Sequence, residues 1–405
     1  MVQVMSGYRV VDVGIWTFGP LTGGVLADWG ADVIKIEHPV TGDPQRGLVT
    51  SDLFKDVAVV DFVMEHANRG KRSIGLDLAS PDGRPVLERL VAQSDVFITS
   101  FLPGARERLR IDVDDIRALN PDIIYARASA DGPRGPEANR GSYDNCSFWA
   151  RAGSGDGTFL PGMEYPIPQP GGAYGDTIAA LVLASGIAAA LLHRERTGES
   201  LLVDTSLLAV GAWATAFSIA GCAAWNLDRF PSMRREEIPN PIVNVYRTAD
   251  DRHIQLNMLE SDRYWADLVA TLGHPDLAAD PRFANSAART ENRTECVEVL
   301  DGIFAARSLQ EWKQTFANFD GIWAPVQRAG EVITDPQVVA NNYVRDVVAA
   351  DGTTFKLVAP PIQFNEEATD IRRGPAWGEH TDEVLAELGY GEDEIIDLKV
   401  KGAAL

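Results

Sequence analysis

Short apolar runs of strand length recur at 10–13, 32–37, 73–78, 95–98 and 122–125, with helical stretches between them. The first of these helices spans 21–29 and is stopped by Gly30, and another spans 80–93 with Ser80 as its cap. Strands that alternate with helices cannot pair as hairpins. Each helix must cross over, which yields a mostly parallel sheet covered on both faces. The expected class is therefore α/β, with a large Rossmann-like parallel-sheet domain. Ligands in such sheets bind beyond the carboxyl ends of the strands.

The largely apolar run at 178–192 ends in His193, Arg194, Arg196 and Gly198, a basic last turn followed by a glycine stop. It falls short of the ~18–20 residues needed to span a bilayer, so it reads as a buried core helix. A strand at 201–204 and a second apolar helix at 206–219 follow. The composition turns polar and proline-containing at 226–237. These shifts place the first part of the large domain at 1–220, a linker at 221–240 and a smaller α+β domain at 241–322. The small domain opens on a hairpin, 243–246 with 253–256, and continues with helices at 264–272, 293–306 and 309–316. A second linker is expected at 323–335. Residues 336–405, ending in a helix at 381–388, then complete the large domain.

Acidic residues number 58 against 37 basic ones, a net charge of −21. That field repels phosphate polymers and anionic lipid, so neither nucleic acid nor membrane is an expected partner. One phosphorylated small molecule remains compatible with a local basic pocket. The three cysteines, Cys146, Cys222 and Cys296, have neither metal nor disulfide spacing. No basic-then-apolar signal opens the chain. The expected location is the cytoplasm.

Familiar catalytic motifs are missing. Glu37 ends the second strand, where a dinucleotide fold places its ribose carboxylate. The turn at 14–20, however, lacks the glycine spacing that admits a pyrophosphate. There is no phosphate-binding loop of the Walker type, no paired His/Cys metal spacing and no G-x-S-x-G elbow. Two basic groups could face an anionic ligand: 68–72, and Arg106, Arg108 and Arg110. Asp176 stands out. It follows Gly171, Gly172 and Gly175 and precedes the apolar run, where Asp is a routine helix N-cap. A free aspartate, with a pKa near ~3.9, would be ionised at neutral pH.

Several blocks in order carry a family resemblance. They are 30–37 with Gly42, Asp43 and Arg46; 70–74 with Leu76, Asp77 and Leu78; Phe101 with Pro103 and Gly104; and Asn120, Pro121, Ile124 and Tyr125. Gly175 with Asp176, the stretch 188–198, and 378–385 complete the set. Together they resemble the class III CoA-transferases, the formyl-CoA transferase and carnitine CoA-transferase family. The resemblance implies that Asp176 is the nucleophile. It would attack an acyl-CoA thioester to form a mixed anhydride, then an aspartyl-CoA thioester that delivers CoA to an acceptor carboxylic acid. The implied partners are an acyl-CoA donor and an acid acceptor, with no permanent cofactor and no metal. Coenzyme A enters as part of the substrate.

By matching position, Thr17, Phe18, His38, Arg72, Leu76, Ala79, Ser100, Phe101, Leu102, Arg108, Gly141, Ser142, Tyr143 and Asp144 are implied to lie near CoA. His38, Ala79 and Gly141 depart from the basic residues of formyl-CoA transferases, which shifts phosphate contact toward Arg72 and Arg108. The family's architecture implies an interlocked homodimer. A related branch, the α-methylacyl-CoA racemases, needs a His–Asp acid–base pair. The segment 141–145 holds no histidine, so transfer is favoured over racemisation. A CoA-binding protein without catalysis is the other alternative. The glycine-rich loop of formyl-CoA transferases is replaced by 236–241, which argues against oxalate as acceptor. Trp16, Phe148 and Trp149 point to a larger or more apolar acid, although core packing would equally explain Trp149.

Overall fold

The computed structural model describes residues 2–48 and 60–405. The chain divides into two compact units. One comprises Met1–Asp156, Ile167–Asp228 and Pro336–Leu405; the other comprises Gly157–Pro166 and Arg229–Asp335.

The larger unit is built on a six-stranded sheet of β1 (Arg9–Val13), β2 (Asp32–Glu37), β3 (Arg72–Gly75), β4 (Val96–Thr99), β5 (Ile124–Ser129) and β6 (Leu202–Ser206). Their order is β3-β2-β1-β4-β5-β6, and every neighbouring pair is parallel. The chain leaves β1 toward one edge and returns at β4 toward the other, so the strand order switches between them. That crevice is where open α/β sheets place their ligands.

Side chains alternate across the pleat and divide the interior into two cores. Val10, Val96 and Ile98 face one, and Val11, Val13 and Phe97 face the other. The first core holds α1 (Phe18–Asp28), buried along its whole length, and the central helix Tyr174–Thr197. The second core holds Leu87 and Leu90 together with Val384 and Leu385 from the C-terminal segment.

Four charged side chains lie in the interior near the carboxyl end of β1: Asp12, Lys35, Asp43 and Lys71, each fully shielded from solvent. Lys71 Nζ donates to Asp12 Oδ2 at 2.7 Å, to Asn68 Oδ1 at 2.9 Å and to the Pro20 carbonyl at 2.5 Å. Lys35 Nζ donates to Asp43 Oδ2 and to the Gly14 carbonyl, both at 2.8 Å. Buried charges are tolerated only when paired and hydrogen-bonded in this way.

Several sequence expectations change. The helix expected at 80–93 is Arg84–Ala92. Ser80 does not cap it; its hydroxyl accepts from the Asp82 N–H in a preceding turn. The expected core helix at 178–192 runs over 24 residues, Tyr174–Thr197. By length and composition it could cross a membrane, yet Ala180, Leu183, Ala184 and Ile187 are packed in the sheet core. The helix expected at 206–219 is two, Leu207–Ala214 and Ala216–Trp225, bent by 69°. The bend falls at Thr215, whose hydroxyl donates to the Ala152 carbonyl at 2.8 Å. A further helix, Glu392–Val400, follows Thr381–Glu387.

In the smaller unit, β7 (Val243–Arg247) and β8 (His253–Asn257) form the expected hairpin. Leu256 and Ile254 of β8 also pair with β9 (Trp323–Pro325), which lies in the stretch read as a linker. The core of this unit is aromatic, with Tyr246 stacked on Phe304 at 4.8 Å. Arg289 is fully buried there, over the Trp265 ring and bonded to Ser261 and to the Phe283 carbonyl.

Removing one partner from a buried ion pair leaves the other charge without compensation. Lys71→Met is therefore expected to destabilise the larger unit by ~3–5 kcal/mol, seen as a lower urea midpoint. A loss under ~1 kcal/mol would show that the Asp12 carboxylate finds other compensation.

Candidate active site

The loops that follow β1, β4, β5 and β6 enclose a cavity of about 880 Å³ at the carboxyl edge of the sheet. Asp176 lines it, together with Ile15, Trp16, Phe18, Phe101, Leu102, Tyr143 and Leu207. A volume of this size suits a cofactor-sized ligand.

Asp176 is not the helix cap. The helix starts at Tyr174, preceded by Ala173 in the left-handed region at φ 57°, so Asp176 sits within the first turn. The capping acceptor comes from outside the helix. Asp144 Oδ2 accepts from the Gly175 N–H at 3.1 Å and from Gln169 Nε2 at 2.9 Å. Asp144 Oδ1 accepts from the Asn145 N–H at 2.8 Å and starts the π-helical segment Asn145–Arg151. The two elements meet at Gly175, where a Cβ would fall 2.6 Å from the Phe148 ring and 2.9 Å from Asp144 Cβ. Only glycine permits this approach, and the approach brings the two carboxylates together.

Their proximity has an electrostatic cost. Burial, and then the negative charge of Asp144, push the Asp176 carboxyl from its ordinary 3.8 up to about 7. Among the described residues no cation forms a salt bridge with Asp176. The positive end of the helix dipole is worth ~1 kcal/mol, less than one pKa unit, and does not reverse the shift. The expectation of a fully ionised carboxylate at neutral pH is thus corrected. Asp176 titrates across neutrality.

The structure divides the sequence-derived CoA set. Phe18, Ser100, Phe101, Leu102, Arg108, Gly141, Ser142 and Tyr143 line the cavity with Asp176. Thr17 is buried at the start of α1 and Asp144 is buried behind Gly175; neither is among the lining residues. The Ser100 hydroxyl is committed to the main chain, accepting from Ile15 N–H at 3.0 Å and donating to the Ile15 carbonyl at 3.3 Å. Leu76 is a core residue, and Ala79 is exposed on the turn after β3. His38 is exposed, with Nδ1 accepting from the N–H groups of Val40 and Thr41. None of these three lines the cavity.

Arg72 lies at the amino end of β3, the opposite edge of the sheet, bound to Asp32, Glu383 and Glu387 at 2.7–2.9 Å. It is not placed to share phosphate contact with Arg108. Arg106 and Arg108 do line the cavity. Arg106 is spent on the Phe101 carbonyl and Asp112, whereas Arg108 is exposed and, among the described residues, bonds only its own helix, at the Gly104 carbonyl.

Sequence reasoning missed the Arg127–Asp204 pair in the cavity wall, two contacts of 2.5 and 2.9 Å. These residues face each other because β5 and β6 align Arg127 with Asp204. Strand register between segments so distant in sequence left no local signal.

The profile of CoA-transferase family III matches residues 5–381. Cinnamoyl-CoA:phenyllactate CoA-transferase of Clostridium sporogenes is 28% identical over 401 residues, covering 98% of this chain and 96% of its own. Succinate–glutarate CoA-transferase of Agrobacterium fabrum is 32% identical over 404 residues, covering 95% of each. The crystal structure of a CAIB/BAIF family protein from Brucella suis superposes with a TM-score of 0.82 at 28% identity, covering 95% of this chain and 99% of that one. The protein belongs to CoA-transferase family III and is an enzyme of that class.

Asp144→Asn removes the neighbouring charge while keeping an oxygen for the Gly175 N–H. The Asp176 titration, followed by carboxyl carbon NMR, is expected to move from near 7 toward the ordinary aspartate range. An unchanged midpoint would show that burial alone sets it.

Proposed function

We propose that the enzyme moves CoA from an acyl-CoA thioester to a carboxylic acid through covalent intermediates on Asp176. An Asp176 carboxylate oxygen attacks the thioester carbonyl, the C–S bond breaks, and CoA leaves as thiolate. The thiolate then attacks the aspartyl carbonyl of the mixed anhydride, releasing the donor acid and leaving an aspartyl-CoA thioester. The acceptor carboxylate attacks that thioester and forms a second anhydride, again freeing the thiolate. Attack of the thiolate on the acceptor's acyl carbonyl yields the new acyl-CoA and restores Asp176. One thioester is broken and one is made, so no net hydrolysis or redox change occurs.

The observation that carries this reading is the placement of Asp176: in the cavity, free of any salt bridge among the described residues, and held by backbone that Asp144 fixes. Its raised pKa makes it a stronger nucleophile once ionised, at the cost of partial protonation at pH 7. Phe18, Phe101, Leu102 and the 141–143 segment are read as the walls for CoA, with Arg108 as a phosphate contact. We read the protein as a cytoplasmic, metal-free, interlocked homodimer. Trp213 and Phe217, both 81% exposed on the apolar helix pair, support a second copy covering that face. Light scattering coupled to gel filtration should then give twice the chain mass of 44.0 kDa; a single-chain mass would remove the dimer.

Asp176→Ala is expected to lower transfer by ~10⁴-fold or more, as loss of a covalent nucleophile does. Incubation with an acyl-CoA followed by hydroxylamine should leave a hydroxamate at residue 176, read by peptide mass spectrometry. An unmodified Asp176 with solvent deuterium entering the substrate α-carbon would replace transfer by racemisation. In the wild type, kcat/KM should rise with pH through about 7 and level off above it, because only the ionised carboxylate attacks.

A further inference from the structure

The turn between β1 and α1 carries an aromatic side chain in an unusual backbone state. Trp16 has φ 65°, in the left-handed region that bulky residues avoid. Its ring meets Tyr143 edge to face, with centroids 5.6 Å apart and planes at 89°. Both rings line the cavity that holds Asp176. A strained residue persists only where its surroundings over-determine it.

The surroundings here are identifiable. The Gly14 N–H donates to Asp12 Oδ1 at 2.9 Å, and the Gly14 carbonyl accepts from Lys35 Nζ at 2.8 Å. Ser100 holds both polar groups of Ile15. The Trp16 N–H donates to Asp43 Oδ1 at 3.1 Å, and the other oxygen of the same carboxylate takes Lys35 at 2.8 Å. Asp43 and Lys35 have no solvent exposure. A turn whose backbone is bonded by side chains from β1, β2, the segment after β2 and the end of β4 cannot relax by rotating one dihedral.

We infer that Trp16 is a specificity-determining residue of the acyl site and that the buried Lys35–Asp43 pair is its positioning device. The substrate class is a carboxylic acid bearing an apolar ring or branched chain. The Trp16–Tyr143 wall offers π-faces and edges to such a group. A short dicarboxylate would instead need a cation near its second carboxylate. Among the described residues no Lys or Arg pairs with Asp176; of the cavity arginines, Arg127 is bonded to Asp204, Arg106 to Asp112 and Arg140 to Glu137, and Arg108 is the one read as the phosphate contact. This inference rests on the reading of CoA transfer through Asp176.

The test needs only one acid at a time. Wild-type enzyme is given 3-phenylpropionyl-CoA with carbon-13 phenylpropionate, or succinyl-CoA with carbon-13 succinate. Entry of label into the thioester gives kcat and KM for each. The wild type is expected to favour the phenyl acid in kcat/KM by about tenfold or more, the scale that an apolar pocket contact supports. Trp16→Ala should erase most of that preference, bringing the two kcat/KM values to within about threefold of each other. Asp43→Asn should shift the ratio in the same direction, and the double variant should shift it no further than Trp16→Ala alone. Should Asp43→Asn not fold, Ser100→Ala loosens the same turn more gently and is read the same way. A merely structural role would lower the melting temperature and the active fraction but leave the ratio intact. A wild type that exchanges succinate as well as the phenyl acid, or a Trp16→Ala ratio equal to wild type, overturns the inference and leaves CoA transfer standing. No exchange with either acid, together with no hydroxamate at residue 176, overturns the underlying reading instead.

Discussion

The buried pairing of Lys71 with Asp12 and of Lys35 with Asp43 is the constraint on which the rest of the larger unit depends. Two ammonium groups and two carboxylates beside the end of β1 would be prohibitive to bury singly. Together, with carbonyl and amide partners, they are satisfied. Their geometry ties β1, β2 and the segment before β3 to one point, next to the place where the strand order switches. A hydrophobic cluster there would pack as densely but would not specify direction. Hydrogen-bonded charges do, and the turn above them inherits that precision.

A second pair, Asp144 and Asp176, works by the opposite logic. Here like charges are brought together, and among the described residues no cation forms a salt bridge with either. Asp144 is fixed by three donors, the N–H groups of Gly175 and Asn145 and the Gln169 amide. Asp176, without such donors among the described residues, absorbs the electrostatic cost as a raised pKa. Two aspartates of the same chemistry are thereby given different tasks by their environments. The absence of a Cβ at Gly175 is the steric condition for this, since any side chain would separate the π-helical segment from the helix.

Much of the fold was legible. The runs at 10–13, 32–37 and 95–98 carry apolar side chains toward both faces, which only a doubly covered strand can accept, and they are strands of a parallel sheet. The hairpin of the smaller unit was equally plain from its two β-branched runs and short polar turn. Less visible were features decided by single contacts. Thr215 bends an apolar stretch that periodicity reads as one helix. Ser80 resembles a helix cap but belongs to a turn one step earlier. Of the candidate ligand residues, Phe18 after β1 and Ser100, Phe101, Leu102 and Arg108 after β4 reached the cavity, because the carboxyl edge of a parallel sheet is a rule of topology. Arg72 did not, because its position at the amino end of its strand sends it to the other edge.

The sequence by itself determined the class of architecture, the family and the prominence of Asp176, because these rest on local periodicity and on blocks of residues read in order. Only the tertiary structure decided that Asp144 caps the helix in place of Asp176, that the Asp176 carboxyl titrates near 7, and that Trp16 is held against Tyr143. Each of these is a through-space effect between segments distant along the chain. Burial, charge proximity and steric approach are set by how such segments meet, and no reading along one segment contains them.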